Sequence, residues 1–250
     1  MTSLPTFIAH RGSSHLAPEN TLAALRLGWE ETTICEVDVQ PTQDGKLLVI
    51  HDDSTQRTTG VDLKVAEHLL GDLRQLDAGS WKGPQWKGEK LPLLEEAIAA
   101  MPAGKKLLVE IKAGPEVIPE FVRLVRASGK EKQLLMHGFS SPVCIKCKKA
   151  LPKLPVYLLI ASVQNPLTKA WSHSVDEAIG KARESGLDGI GANHTALVNA
   201  AAVAKIHSAG LKLNIWTVDE VNKAQRLIGL GVDGLITSRP GWLKTQITEL

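Results

Sequence analysis

Gly186-Leu-Asp-Gly-Ile190 recurs further on as Gly231-Val-Asp-Gly-Leu235. In each copy the first glycine follows a helical stretch and the last residues open an apolar strand. That is the chemistry of a helix C-cap feeding the next strand. Two strand–helix units fit between the copies. Working outward, short apolar runs recur along the whole chain and read as strands at 6–10, 33–39, 47–51, 106–111, 134–138, 155–160, 188–192, 212–218 and 233–237. Helical patterns separate most of them. One covers 21–29, with Asn20 as its N-cap, and another covers 92–101, with proline near its first turn. Residues 115–128, 140–149, 174–185, 199–209 and 220–229 follow the same pattern. Alternating β and α over about 250 residues predicts an α/β fold, a distorted (β/α)8 TIM barrel.

Two features depart from an ideal barrel. Nine strands are one too many. The runs 33–39 and 47–51 are joined by QPTQDGK, in which Asp44-Gly45 is a hairpin signal, so one of them is expected to lie antiparallel or outside the regular order. Residues 52–91 hold no clean βα unit but contain glycines, a proline, Trp81 and Trp86. The expectation is a single barrel domain over 1–250, with a small insertion at about 52–91 at the barrel mouth.

Composition narrows the function classes. The chain is 43% hydrophobic, enough for a sizeable core, and a net charge of +2 gives no broad nucleic-acid surface. No window approaches the roughly 18 apolar residues of a membrane span. Met1 to Arg11 shows no secretory signal, so a cytoplasmic, reducing location is expected and the Asn193-His-Thr195 sequon is read as idle. Of the three cysteines, Cys35 falls in a strand, and Cys144 and Cys147 have CxxC spacing without a second pair; all are read as ordinary thiols. Gly229-Leu-Gly-Val-Asp-Gly234 matches GxGxxG but follows a helix and precedes a strand, the reverse of a dinucleotide site.

The polar exceptions inside the strands are informative. His10 and Arg11 end the first strand and His51 closes the third. Glu36 and Asp38 are two apart, so a strand puts both on one face, and Glu110 and Lys112 repeat that spacing. Burying an unpaired carboxylate costs several kcal/mol. One reading is a buried salt-bridge cluster. The other is a divalent metal on Glu36, Asp38 and Glu110, whose all-oxygen ligands suit Mg2+ or Ca2+. Around such a metal, His10 and His51 could move protons on opposite sides of a phosphorus, while Arg11 and Lys112 hold phosphate oxygens. His15, His68, His137, His173, His194 and His207 lack an acidic partner pattern and read as structural or exposed.

These residues resemble the glycerophosphodiester phosphodiesterase family. The resemblance rests on an ordered set: His10-Arg-Gly12 with Pro18-Glu-Asn-Thr21, Glu36-Val-Asp38, His51-Asp52 with Arg57-Thr-Thr59, Asp77-Ala-Gly-Ser-Trp81, Leu91-Pro-Leu-Leu-Glu95, Glu110-Ile-Lys112 and Trp216-Thr-Val218. It implies hydrolysis of glycerophosphodiesters to sn-glycerol 3-phosphate and an alcohol. It implies one divalent cation, Mg2+ or Ca2+, on Glu36, Asp38 and Glu110, with His10 and His51 as the acid–base pair. It places Arg11 and Lys112 on the phosphate and Trp216 against the glycerol. A route through a cyclic phosphate stays open. Asp219 and Ile236-Thr-Ser-Arg239 stand where the family often has Asn and Ile-Thr-Asp, which bears on substrate preference. The expected partner is a small soluble diester, with no nucleic acid and no membrane span, for a monomer or homodimer. The rivals are a lysophospholipase D and a sensor that binds diesters without cleaving them.

Overall fold

The structure, a computed structural model, describes residues 4–163, 165, 172–195 and 197–248. Among them are nine strands: β1 (Thr6–Ala9), β2 (Ile34–Pro41), β3 (Leu47–Val49), β4 (Lys106–Ile111), β5 (Leu134–Gly138), β6 (Val156–Ile160), β7 (Gly189–Asn193), β8 (Lys212–Trp216) and β9 (Gly234–Thr237). Eight run parallel in the order β1-β2-β4-β5-β6-β7-β8-β9, and β9 pairs back with β1 to close the barrel. The ninth, β3, lies antiparallel against the end of β2, as the Asp44-Gly45 turn predicts. Gly186 and Gly231 both have φ in the left-handed region, 63° and 79°, so the repeated glycines do end helices.

Strand periodicity sorts the side chains into two layers. Phe7 and Ala9 on β1, Cys35, Val37 and Val39 on β2, and Leu107, Val109 and Ile111 on β4 face outward. There they pack with the helices, among them Leu22–Glu31, Ile118–Ser128 and Ser141–Ala150, in one continuous core. The alternate residues Ile8, Leu108, Leu135, Tyr157 and Ile236 turn inward and form a small separate cluster that plugs the barrel. At about 25 cal/mol per Å2 of apolar surface removed from water, the larger outer layer carries most of the stability. The inner layer is free to become polar above its plug.

Residues 52–91 contain short helical turns and no barrel strand. They have their own small core of Val65, Leu73, Ala78 and Leu91, seated on Leu48 and Ile50. Asp77 accepts backbone N–H groups from Gly79, Ser80 and Gly88, which folds the segment on itself.

Three local expectations change. Asn20 does not cap the first helix; Thr21 does, its hydroxyl accepting from the Ala24 N–H at 3.2 Å, because the Asn20 side chain is used elsewhere. A helix at Pro240–Thr248 follows the last strand, where no apolar period announces it. His207 has an acidic partner after all, Asp233 at 2.8 Å. Cys144 and Cys147 are buried free thiols, both pushed up to about 12 by burial, in keeping with an inert pair. No helix among the described residues is long and apolar enough to cross a membrane.

Candidate active site

A pocket of about 190 Å3 opens at the C-terminal ends of the barrel strands, lined by His10, Arg11, Glu36, His51, Glu110, Lys112, His137, Phe139 and Trp216, among others. That end is where barrels of this type carry their chemistry. The pocket brings together seven of the eight residues singled out from the sequence, and Asp38 stands directly behind it, in contact with Arg11 and Lys112.

The turn after β1 aims the first group. Arg11 and Gly12 both have left-handed φ, 57° and 76°. A non-glycine residue there stores strain, as residues at functional sites often do. The turn points the Arg11 N–H at Glu36 Oε2, 2.8 Å away, and carries its guanidinium to Glu19 at 2.8 Å and Asp38 at 3.1 Å. Position 12 must be glycine: a Cβ would lie 2.4 Å from the carbonyl carbon of Ala24.

The Pro18-Glu-Asn-Thr21 stretch works as a clamp. Asn20, also left-handed at 58°, donates through Nδ2 to Asp38 Oδ2 at 3.0 Å and accepts the Asp38 N–H at 3.2 Å. Glu19 joins Arg11 to Arg57, accepting two hydrogen bonds of 2.8 Å from the latter. Arg57 reaches back to Asp52 at 2.7 Å, and Asp52 holds His51 Nδ1 at 2.6 Å. Burial opposes the Asp52 charge, but the bonds from Arg57 and His51 outweigh it and bring its pKa down to about 2. An ionised carboxylate only accepts, so His51 Nδ1 is the donor, and the other ring nitrogen is the one left for substrate.

Charge in the cluster is finely divided. Lys112 Nζ lies 2.5 Å from Glu110 and 3.1 Å from Asp38. Burial disfavours both the Lys112 and Asp38 charges, yet each outweighs it for the other: Lys112 is raised and Asp38, with Arg11 beside it as well, is lowered. Glu36 has no such partner. Burial, and next the Asp38 charge, push its carboxyl above the ordinary value. Three acids face two fixed cations, Arg11 and Lys112, so the cluster is one positive charge short. Burial, with the Arg11 charge second, holds His10 down at about 4, so it does not supply that charge.

His137 is the residue the sequence reading misplaced. It is buried, at 3% exposure, and its Nε2 lies 3.6 Å from Glu36 and 3.8 Å from Glu110. Its signal was the same as that of His51, a polar residue near the end of an apolar run. Its acidic partners come from the sheet register instead, which pairs Glu110 with His137. Phe139 was also missed. It meets Trp216 edge to face, centroids 5.6 Å apart, and the two form an aromatic wall.

A buried carboxyl without a cation and a buried imidazole nitrogen without a hydrogen-bond partner, side by side, fit a divalent metal. A closed parallel barrel with three imidazoles, two fixed cations and an acid cluster at its C-terminal mouth has the make-up of a phosphodiester hydrolase. The model of the glycerophosphoryl diester phosphodiesterase family matches residues 10–242. The chain belongs to that family. Among its relatives, a glycerophosphodiester phosphodiesterase of Caldanaerobacter subterraneus is 32% identical over 240 residues, 93% of either chain. One of Bacillus subtilis is 31% identical, over 93% of this chain and 83% of its own. The solved structure of an Oleispira antarctica phosphodiesterase in complex with the product sn-glycerol-3-phosphate superposes with a TM-score of 0.87, at 28% identity, covering 98% of this chain and 97% of that one.

Proposed function

We propose that this chain acts as one barrel domain with the insertion at 52–91, and that it hydrolyses soluble glycerophosphodiesters to sn-glycerol 3-phosphate and an alcohol. The observation that carries this reading is the missing positive charge. A pocket lined by Glu36 and Glu110, with Asp38 directly behind, repels a phosphodiester unless a divalent cation joins Arg11 and Lys112. Glu36 and Glu110 would hold that cation, with Asp38 and its Arg11–Lys112 pair directly behind. When bound there, it supplies Lewis-acid charge to the phosphate oxygens and offsets the acids.

The remaining work falls to side chains. Arg11 is locked by Glu19 and Asp38 and so offers a charge that costs little to orient. Lys112 offers the second as negative charge builds on the phosphate. His10, kept neutral, takes the proton of the hydroxyl that attacks phosphorus, whether that of water or of the glycerol itself. His51, oriented by its bond to Asp52, gives the leaving alkoxide a proton from its other ring nitrogen, in the imidazolium form that the Asp52 carboxylate supports. Trp216 and Phe139 give the glycerol carbons an apolar face. The product in the Oleispira relative supports the glycerol 3-phosphate half of the substrate.

The test is a metal-depleted, then metal-restored assay on glycerophosphocholine, glycerophosphoethanolamine and their lysolipid counterparts, with products identified. The expected result is glycerol 3-phosphate released from the soluble diesters, abolished by chelation and restored by metal. Cleavage confined to lysolipids would overturn the substrate, and stoichiometric binding without product would overturn the reaction.

A further inference from the structure

Glu36, Glu110 and His137 stand on three neighbouring strands, β2, β4 and β5, and their ligand atoms all lie within 4.8 Å of one another. His137 Nε2 is buried and has no hydrogen-bond partner among the described residues. Leaving such a nitrogen unmet costs about 1–3 kcal/mol, so it calls for a partner. Its distances to the two carboxylates, 3.6 and 3.8 Å, are too long for hydrogen bonds. They are close to the spacing of donors that share an ion: bonds of about 2.1 Å separate neighbouring donors by roughly 3.0–3.6 Å. Asp38, by contrast, is already satisfied, with Lys112 on one oxygen and Arg11 and Asn20 on the other.

We propose that His137 is a nitrogen ligand to the divalent cation, and that it makes this site select a first-row transition ion such as Mn2+ over Ca2+. Imidazole bonds well to first-row transition ions, whereas Ca2+ takes oxygen ligands and gains little from a nitrogen. This inference rests on the proposal that a divalent cation serves the site. It departs from the all-oxygen set and from the Mg2+ or Ca2+ expected of it.

The experiment loads metal-depleted protein with Mn2+ and records pulsed electron paramagnetic resonance, in wild type and in H137Q, H10Q and H51Q. Nitrogen hyperfine coupling from one imidazole is expected in wild type, H10Q and H51Q, and its loss in H137Q. In competition titrations, H137Q should lose at least about tenfold in Mn2+ affinity and less than threefold in Ca2+ affinity. Mn2+ bound without nitrogen coupling, coupling that persists in H137Q, or an equal loss for both ions would overturn the ligand assignment alone. No divalent ion bound at all would overturn it together with the metal dependence proposed above. If H137Q does not fold, the wild-type signal and its survival in H10Q and H51Q decide.

Discussion

The two halves of the barrel interior differ sharply, although one backbone pattern builds both. On β1, β2, β4 and β5 the inward positions above the plug are His10, Glu36 and Asp38, Glu110 and Lys112, and His137. Across the pocket, β6, β8 and β9 contribute Leu159, Trp216 and Ile236. One half is dense in charge and clamped by hydrogen bonds, and the other is an apolar wall. Under the proposed function this difference is a division of labour: charge and proton transfer would fall to the first half, recognition of the glycerol carbons to the second. Strand alternation makes this possible, because the outward residues of both halves stay apolar and hold the fold.

Breaking the polar half should have the largest effect. His10→Ala or His51→Ala should cut turnover by about 10² or more, with unchanged circular dichroism. Near-normal turnover in both would end the acid–base assignment.

Acid should expose His10 next. Its folded pKa of about 4 lies below the ordinary 6.5, so the unfolded chain takes up this proton first. Stability therefore falls as the pH drops from about 6.5 to about 4, by as much as about 3 kcal/mol from this group. Urea melts of metal-free protein should show that loss in wild type and a shallower one in His10→Gln. Parallel curves would contradict it.

Gly12→Ala sharpens the link between backbone and charge. The clash with Ala24 and the left-handed φ together should cost about 2–3 kcal/mol, read as a lower midpoint in a denaturant melt. The smallest effect belongs to the apolar half. Trp216→Ala should raise KM about tenfold, the value of a methylene or two of contact, with a smaller change in kcat. An equal collapse of kcat would place Trp216 with the chemistry instead.

How much of this was legible in sequence follows the same divide between local and long-range information. Strands announced themselves by apolar alternation, and Glu36–Asp38 and Glu110–Lys112 by their two-residue spacing. The extra strand was readable from Asp44-Gly45. Asn20 was misread as a cap because its real use, bracketing Asp38, depends on packing eighteen positions away in the chain. His137 stayed hidden because its acids, Glu36 on β2 and Glu110 on β4, are neighbours only through the parallel registers of β2, β4 and β5. The helix at Pro240–Thr248 has little periodicity of its own and is held by packing, with Pro240 and Leu243 buried.

Calorimetric titration of a divalent cation into metal-stripped protein, with hydrolysis of glycerophosphocholine followed at each addition, bears most directly on the shared-cation claim. It should show one ion per chain, activity rising in step with occupancy, and an affinity at least about tenfold lower in Glu36→Gln. Full hydrolysis by the stripped protein, or undiminished binding in Glu36→Gln, would mean that the acids are only a buried ion-pair cluster.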